Sequence, residues 1–195
     1  MGLELGKAKT LEAHYLYVRE GKLIHMVTDD FSNGDFVALD FETADQGRDS
    51  ACAIALVRVA KNRIVQRVYH LIRPPRTTFT FSHLHGITWK DVASKPRFDE
   101  LWPGLSRMME NVAFLAAPNA PFDRSVLQAC CATSGLRAPQ LPFLCTVDLA
   151  RRIWNIYPTK LPMVCEHLGI ALNHHNAASD AEACAKIVLA ARKRG

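Results

Sequence analysis

Phe36-Val-Ala-Leu-Asp-Phe-Glu-Thr43 is the stretch that decides the fold, because it sets two acidic side chains within a buried-strand pattern. Its run of apolar residues is typical of a strand that is covered on both faces. Asp40 and Glu42 lie two positions apart, so their side chains leave the same face of the strand. Carboxylates on an otherwise buried face favour a metal or catalytic role over simple solvation.

Two further strand patterns follow along the chain, at Ala51–Val59 and Arg63–Ile72. The turns between the three strands are short, which predicts an antiparallel meander. Pro74-Pro75 ends the meander. From about Arg97 to Glu110 the pattern predicts a helix that is interrupted or re-aimed near Pro103.

The second half of the chain alternates a buried strand with helices. The apolar run Val112–Ala117 predicts the strand, and four later segments carry helical patterns: Phe122–Thr133, Thr146–Trp154, Leu161–Leu168 and Ala177–Arg192. A meander followed by alternating helices and strands indicates an α/β fold. Its sheet is expected to be mixed, with an antiparallel meander plus parallel strands, and to be flanked by helices.

The chain is expected to hold one folded domain at residues 35–195, preceded by an N-terminal extension at residues 1–34. No low-complexity linker divides the chain after residue 35, and the polar stretch Thr28–Gly34 separates the extension from the first strong strand pattern. A short strand is predicted around Ala13–Val18. The extension is either natural or partly a cloning remnant, and its role is open.

Composition sets broad limits on the function. The chain has 195 residues, of which 49% are hydrophobic, so one domain with a substantial core is expected. Its net charge of +5 suits an acidic partner such as nucleic acid. Part of that charge lies in Arg192-Lys193-Arg194, where basic residues also complement the dipole of a helix.

The cysteines and the hydropathy pattern exclude several classes of protein. None of the six cysteines forms a Cys-x-x-Cys pair, and Cys130 and Cys131 are adjacent, which argues against a zinc ribbon and against a disulfide framework. No apolar run is long enough to span a membrane, and the first residues lack a secretory signal. A cytoplasmic location without membrane attachment is therefore expected.

Three more polar residues are candidates for the same site, although each has an ordinary alternative. Asp123 and Asp180 both lie early in predicted helices, where an acid often serves as a cap. His175 lies in a polar loop, where a histidine is often simply exposed. A fold that gathered four carboxylates without a basic partner would need divalent cations to offset their repulsion. Mg²⁺ or Mn²⁺ fits this chemistry, since both prefer carboxylate and water oxygens.

The order and spacing of these residues resemble the DnaQ-like, or DEDD, 3′-to-5′ exonucleases, in the branch with a histidine five residues before the last aspartate. The resemblance covers about residues 36–190 and is nearest to the proofreading subunit of bacterial DNA polymerase III. Three motifs match it: Asp40-Phe-Glu42-Thr43, Asn119-Ala-Pro-Phe-Asp123 and His175-Asn-Ala-Ala-Ser-Asp180. Further stretches are also similar to the family: His85-Gly-Ile-Thr88, Cys145-Thr-Val-Asp-Leu-Ala-Arg151 and Lys160-Leu161 leading to His167-Leu-Gly169.

This resemblance implies a ribonuclease H-like fold and a site with two metal ions. Asp40, Glu42 and Asp180 would bind the first ion and Asp40 would bridge to the second. Asp123 would hold water at the metals, and His175 would be the general base.

The resemblance also implies which residues contact the substrate. Thr43 and His85 would lie near the terminal nucleotide, and Phe122 would help to shape the pocket, although its residue type favours a place in the core. The chain departs from the family pattern at Pro118, where a histidine is common, and at Ala44-Asp45, which replaces Thr-Gly. These departures affect the pocket rather than the five catalytic candidates.

The implied function is a metal-dependent 3′-to-5′ exonuclease that acts on single-stranded or frayed 3′ ends of DNA and releases nucleoside 5′-monophosphates. Proofreading or repair, with a polymerase or repair complex as partner, is the expected setting. One alternative is an exoribonuclease, since the five residues do not read the sugar. Another is a non-catalytic domain that binds nucleic acid or a polymerase, against which the presence of all five residues counts.

Overall fold

The computed structural model describes residues 14–19, 22–27, 31 and 33–194. Strands β1 (His14–Arg19) and β2 (Lys22–Val27) form an antiparallel two-stranded sheet, so the strand predicted around Ala13–Val18 is present as β1. The predicted turn at Thr28–Gly34 lies mostly outside the described residues, and so does most of the rest of the predicted extension.

The central sheet has five strands in the order β5-β4-β3-β6-β7. β3, β4 and β5 form the predicted antiparallel meander, and β6 and β7 add to its other side as parallel strands. The mixed sheet is thus confirmed. The bounds are β3 (Phe36–Thr43), β4 (Ala51–Ala60), β5 (Arg63–Leu71), β6 (Phe114–Ala117) and β7 (Phe143–Cys145).

Helices cover both faces of this sheet. They are α1 (Ser82–His85), α2 (Trp89–Val92), α3 (Phe98–Met108), α4 (Ala120–Thr133), α5 (Thr146–Trp154), α6 (Leu161–Leu168) and α7 (Ala177–Arg192). In the part of the chain that the structure describes, none of the helices has the length and apolar character needed to cross a bilayer.

The central strand β3 divides the core by the two-residue alternation of its side chains. Val37, Leu39 and Phe41 are buried on one face, in a cluster with apolar residues of α3 and α4. Phe36 and Ala38 are buried on the other face, in a cluster with small residues of α7. This alternation fixes which helix each later residue of β3 meets.

Several elements differ from the sequence-based prediction. α3 continues through Pro103 without interruption, because the loss of one backbone hydrogen bond at an exposed position does not outweigh the burial of Phe98, Leu105 and Met108 on its inner face. The three-residue strand β7 and the one-turn helices α1 and α2 were not predicted, since elements this short carry no usable periodicity. α4 begins at Ala120, two residues before the predicted start.

Candidate active site

Three carboxylates meet between β3 and α7. Asp40 and Glu42 continue the face of β3 that packs against α7, and both are partly buried. Asp180 lies in the first turn of α7 and is only 4% exposed. One ligand oxygen from each of the three can be chosen so that all lie within 4.8 Å of one another. The cluster therefore forms because Asp40 and Glu42 share one face of β3 and the first turn of α7 brings Asp180 to that face.

The start of α7 is fixed by its cap. The side chain of Asn176 accepts a hydrogen bond from the backbone N–H of Ser179 at 3.1 Å. An N-cap of this kind holds the first turn of the helix in place. Asp180 therefore stands at a defined position opposite β3.

Asp123 joins the cluster from α4. It is 2% exposed, and its Oδ1 accepts a hydrogen bond from the backbone N–H of Phe41 at 3.1 Å. β6 pairs with β3 only over Phe36–Ala38, so β3 extends past the end of β6 and the N–H of Phe41 bonds a side chain there. The four predicted carboxylates thus lie at the carboxyl ends of neighbouring parallel strands, which is where α/β sheets commonly open into a crevice.

Burial and mutual repulsion act together on these acids. Burial first, then repulsion by the other three carboxylates, raises the pKa of Asp40 well above its usual value. Burial, with repulsion from Asp180 and Asp123, raises the pKa of Glu42 to about 8. Burial also raises the pKa of Asp123 to about 8, despite the hydrogen bond from Phe41. The protein alone therefore does not accommodate four negative charges at neutral pH.

Asp180 carries the most direct sign of a cation site. Its Oδ2 accepts hydrogen bonds from the backbone N–H of His175 and from Nδ1 of His174, each at 3.1 Å. Its Oδ1 is buried and has no hydrogen-bond partner among the described residues. No lysine or arginine within residues 33–194 forms a salt bridge with any of the four acids. An all-oxygen set with an orphaned buried oxygen fits Mg²⁺ or Mn²⁺.

His175 lies at the edge of the same cleft and is exposed. Its backbone φ is +64°, a left-handed conformation that histidine adopts more readily than most residues. Its ring stacks on that of His174 with 3.9 Å between the centroids. Partial desolvation, then the neighbouring His174, lowers the pKa of His175, which keeps the imidazole neutral and able to accept a proton at neutral pH.

Sequence reasoning missed His174. This residue donates to Asp180 and supports the ring of His175, so it orients two candidate residues at once. The signal was present in the doubled histidine, six and five residues before Asp180. It was missed because a loop histidine is by itself uninformative.

The carboxylates open into a cleft of about 790 Å³ that also contains the three predicted substrate contacts, Thr43, His85 and Phe122. Both ring nitrogens of His85 bond the backbone: Nε2 donates to the Thr43 carbonyl at 3.2 Å, and Nδ1 accepts from the Ile87 N–H at 3.0 Å. His85 therefore contributes to the shape of the cleft, and its ring nitrogens are already bonded to the backbone rather than directed to a substrate. Phe122 is partly buried, and it packs against the main core as well as lining the cleft.

The positions that depart from the family pattern have structural roles. Pro118 lines the cleft. The carbonyl of Ala44 accepts hydrogen bonds from the N–H groups of Thr80 and Phe81, at 2.7 and 3.2 Å, and so holds the segment that leads into α1.

α1 in turn presents Leu84, which lines the cleft and is 46% exposed. Leu84 is a lining residue that the sequence did not indicate, and Lys160, from a stretch that resembles the family, lines the cleft as well.

The raised carboxyl pKa values predict a stability that falls with pH when chelator is present. Between about pH 6.5 and 8 these acids hold protons in the folded chain that the unfolded chain has released, so the free energy of unfolding should drop by roughly 2 kcal/mol. In the folded chain His85 and His175, whose pKa values are lowered, lose their protons below this window, and the unfolded histidines lose theirs at its lower end, which offsets a small part of the fall in stability. Thermal unfolding at the two pH values measures the effect.

Saturating Mg²⁺ is the control for this prediction. Cation binding requires deprotonated carboxylates. Saturating Mg²⁺ should therefore abolish or reverse the decrease in the free energy of unfolding between pH 6.5 and 8. An equal fall with Mg²⁺ would assign the effect to other groups, such as the buried thiols. Greater stability of the chelated protein at pH 8 than at pH 6.5 would contradict the electrostatics described above.

Comparison with known proteins places this geometry among nucleases. The exonuclease family model matches residues 37–188. PolC-type DNA polymerase III of Thermotoga petrophila is 31% identical over 163 residues, which cover 82% of this chain and 12% of that protein. Exodeoxyribonuclease 10 of Escherichia coli is 31% identical over 147 residues, which cover 70% of this chain and 59% of that enzyme. The chain thus spans about one eighth of the polymerase and 59% of the exodeoxyribonuclease.

Solved structures agree with the fold. Exonuclease X in complex with 5′-overhanging duplex DNA superposes with a TM-score of 0.62 at 25% identity, over 80% of this chain and 89% of that one. The nuclease domain of a DEDDh 3′-exonuclease bound to rAMP superposes with a TM-score of 0.68 at 19% identity, over 83% of this chain and 92% of that domain. The second likeness concerns the fold alone. Together they confirm the predicted ribonuclease H-like architecture.

Proposed function

The chain belongs to the exonuclease family, with a DEDD-type fold, and from this membership we propose that it is a metal-dependent exonuclease that shortens DNA from the 3′ end. The observation that carries the proposal is the cluster of Asp40, Glu42 and Asp180 with its unpartnered buried oxygen, and Asp123 adds a fourth acid in the same cleft. Such a cluster has no structural benefit without a cation, since the burial of like charges destabilises the fold.

We infer that these acids hold two divalent ions. Asp40, Glu42 and Asp180 would hold the first, Asp40 would also serve the second, and Asp123 would complete the site. Bound Mg²⁺ or Mn²⁺ supplies Lewis-acid stabilisation of the charge that develops on the phosphoryl oxygens. Asp123 is held in place by the hydrogen bond that its Oδ1 accepts from the backbone N–H of Phe41 in β3.

The protein's own groups then account for the remaining steps of hydrolysis. The cleft receives the terminal nucleotide beside Leu84 and Phe122. His175 accepts the proton of the attacking water, whose oxygen forms the new bond to phosphorus. The bond from phosphorus to the 3′ oxygen breaks, and that oxygen leaves with the electron pair and takes a proton from solvent. The products are a nucleoside 5′-monophosphate and a strand shorter by one nucleotide.

DNA is the proposed substrate, in single-stranded or frayed form. The support comes from the related PolC-type DNA polymerase III and exodeoxyribonuclease 10, whose names refer to DNA. Proofreading or repair beside a polymerase, in the cytoplasm, is the corresponding proposal for its setting. An exoribonuclease is the second candidate, because a domain of the same fold binds rAMP and the five candidate residues of this chain do not read the sugar.

DNA and RNA oligonucleotides of identical sequence, mixed in one reaction with Mg²⁺, test both the reaction and the sugar. Quantification of the released mononucleotides is expected to show deoxynucleoside 5′-monophosphates in excess. Ribonucleotides in excess would move the assignment to the exoribonuclease. Nucleoside 3′-monophosphates would contradict the cleavage position, and no release from either strand would contradict the proposed reaction.

A further inference from the structure

The turn between β3 and β4 is held by an ion-pair clamp. The guanidinium of Arg76 bonds Asp45 through Nε and Nη2, at 3.0 and 3.1 Å, and Asp49 through Nη1 and Nη2, at 2.9 and 2.7 Å. The hydroxyl of Ser50 donates to backbone carbonyls inside the same turn. A Cβ at Gly47 would collide with the guanidinium of Arg76, so the turn closes tightly on its clamp.

Because Arg76 pairs with both acids of the turn, neither acid pairs with Arg48, the arginine of the turn itself. Arg48 lies between Asp45 and Asp49 in sequence, yet no salt bridge or guanidinium hydrogen bond links it to another described residue. Arg76 holds the pKa values of both acids below their usual range, chiefly through its hydrogen bonds, so they remain charged and paired. Arg48 itself is exposed.

The side chain of Arg48 is directed to the cleft wall. Its guanidinium carbon lies 4.6 Å from the centroid of the Phe122 ring, and Phe122 lines the cleft. Its backbone carbonyl accepts a hydrogen bond from the Cys130 thiol of α4 at 3.8 Å, which ties the turn to the helix that carries Phe122. The cation is thus held over an aromatic ring at the rim of the site, and its N–H donors, which bond no described residue, can bind an anion.

We propose that Arg48 binds a phosphodiester of the strand upstream of the scissile bond, so that the strand leaves the cleft across the rim formed by Arg48 and Phe122. This inference rests on the proposed function. A guanidinium that presents several donors in one plane suits a phosphate well. Arg76 has a positioning role, because it removes the acids that would otherwise pair with Arg48. Lys160, which lines the cleft at the N-cap of α6, marks the competing exit.

Substrate length separates these alternatives. Arg48→Gln should raise the KM for a single-stranded 12-mer about fivefold and the KM for a 5′-hydroxyl dinucleotide, which has no upstream phosphodiester, less than twofold. The dependence of binding on salt should weaken by about one phosphate contact, a change of roughly 0.7 in the log–log slope. Arg48→Lys should lie between wild type and Arg48→Gln.

Arg63→Gln is the matched control, since Arg63 is an exposed arginine at the start of β5 and carries the same charge. It should leave both KM values unchanged. A defect in Arg48→Gln no larger than in Arg63→Gln, or equal on the dinucleotide and the 12-mer, would overturn the inference. A length-dependent defect in Lys160→Gln instead of Arg48→Gln would place the exit at α6 and would also overturn it.

A binding measurement keeps this test separate from the proposed function. Fluorescence anisotropy of a labelled 12-mer, with Ca²⁺ in place of Mg²⁺, should show weaker binding by Arg48→Gln than by Arg63→Gln. If wild type binds but never hydrolyses, the proposed reaction fails and this comparison still decides the role of Arg48. If wild type neither binds nor hydrolyses, both proposals fail.

Discussion

Asp40→Asn is expected to lower turnover at least about a thousandfold and, at the same time, to raise the melting temperature of the chelated protein. The two effects have one cause. Asp40 is the acid whose pKa is raised by burial and by all three neighbouring carboxylates, so its charge opposes folding when no cation is present. Asparagine keeps the shape and removes that charge. A gain on the order of 1 kcal/mol corresponds to roughly 2–4 °C for a chain of this size.

The response of the melting temperature to Mg²⁺ should distinguish Asp40→Asn from wild type. Wild type should show a clear rise of melting temperature with Mg²⁺, and Asp40→Asn should show a much smaller one. Asp99→Asn, a change at a partly exposed acid of α3 that is paired with Arg97, is the matched control and should alter neither activity nor the response to Mg²⁺. An Asp40→Asn protein that retained turnover, or that was less stable than wild type in chelator, would contradict a repulsive cluster relieved by cations.

His175→Asn should reduce kcat by about 10²- to 10⁴-fold while leaving the stabilisation by Mg²⁺ intact. Asparagine suits this test because it tolerates the left-handed backbone conformation that His175 adopts, whereas alanine would add strain. The variant therefore removes the proton acceptor and preserves the loop that orients Asp180. Single-turnover hydrolysis and thermal unfolding with Mg²⁺ measure the two properties separately.

His83→Asn is the matched control for His175→Asn. His83 is exposed in α1, and its Nδ1 donates to the local carbonyl of Thr80 at 3.0 Å. Its replacement should leave kcat within about twofold of wild type. Full activity of His175→Asn would exclude His175 as the general base without affecting the metal proposal, whereas loss of the Mg²⁺ response would assign it a structural role at Asp180.

The sequence predicted the part of the site that depends on local pattern. Asp40 and Glu42 could be placed on one face of a strand from their spacing, and β3 has this geometry. Asp123 and Asp180 could not be brought to that face by periodicity, because each is equally acceptable as a helix-terminal acid. Asp123 and Asp180 were assigned to the site from their order along the chain and from the family resemblance, because local sequence patterns do not show that they lie there.

Contacts between distant segments could not be predicted. The bonds of His85 to the backbone at Thr43 and Ile87 depend on how a one-turn helix docks on the end of β3. The place of Arg48 over Phe122 depends on a clamp with Arg76, which is 28 positions further along the chain. Neither short helices nor ion pairs between distant segments have a periodic signature in sequence.

A time course on a 5′-labelled single-stranded DNA, interrupted by chelator and then resumed with excess Mg²⁺, tests most directly whether the carboxylate cluster is a cation-dependent 3′-exonuclease site. The prediction is a ladder of labelled products that shorten one nucleotide at a time, stop when chelator is added, and shorten again when Mg²⁺ is restored. Shortening that continues in chelator, or immediate release of the label as a mononucleotide, would contradict it.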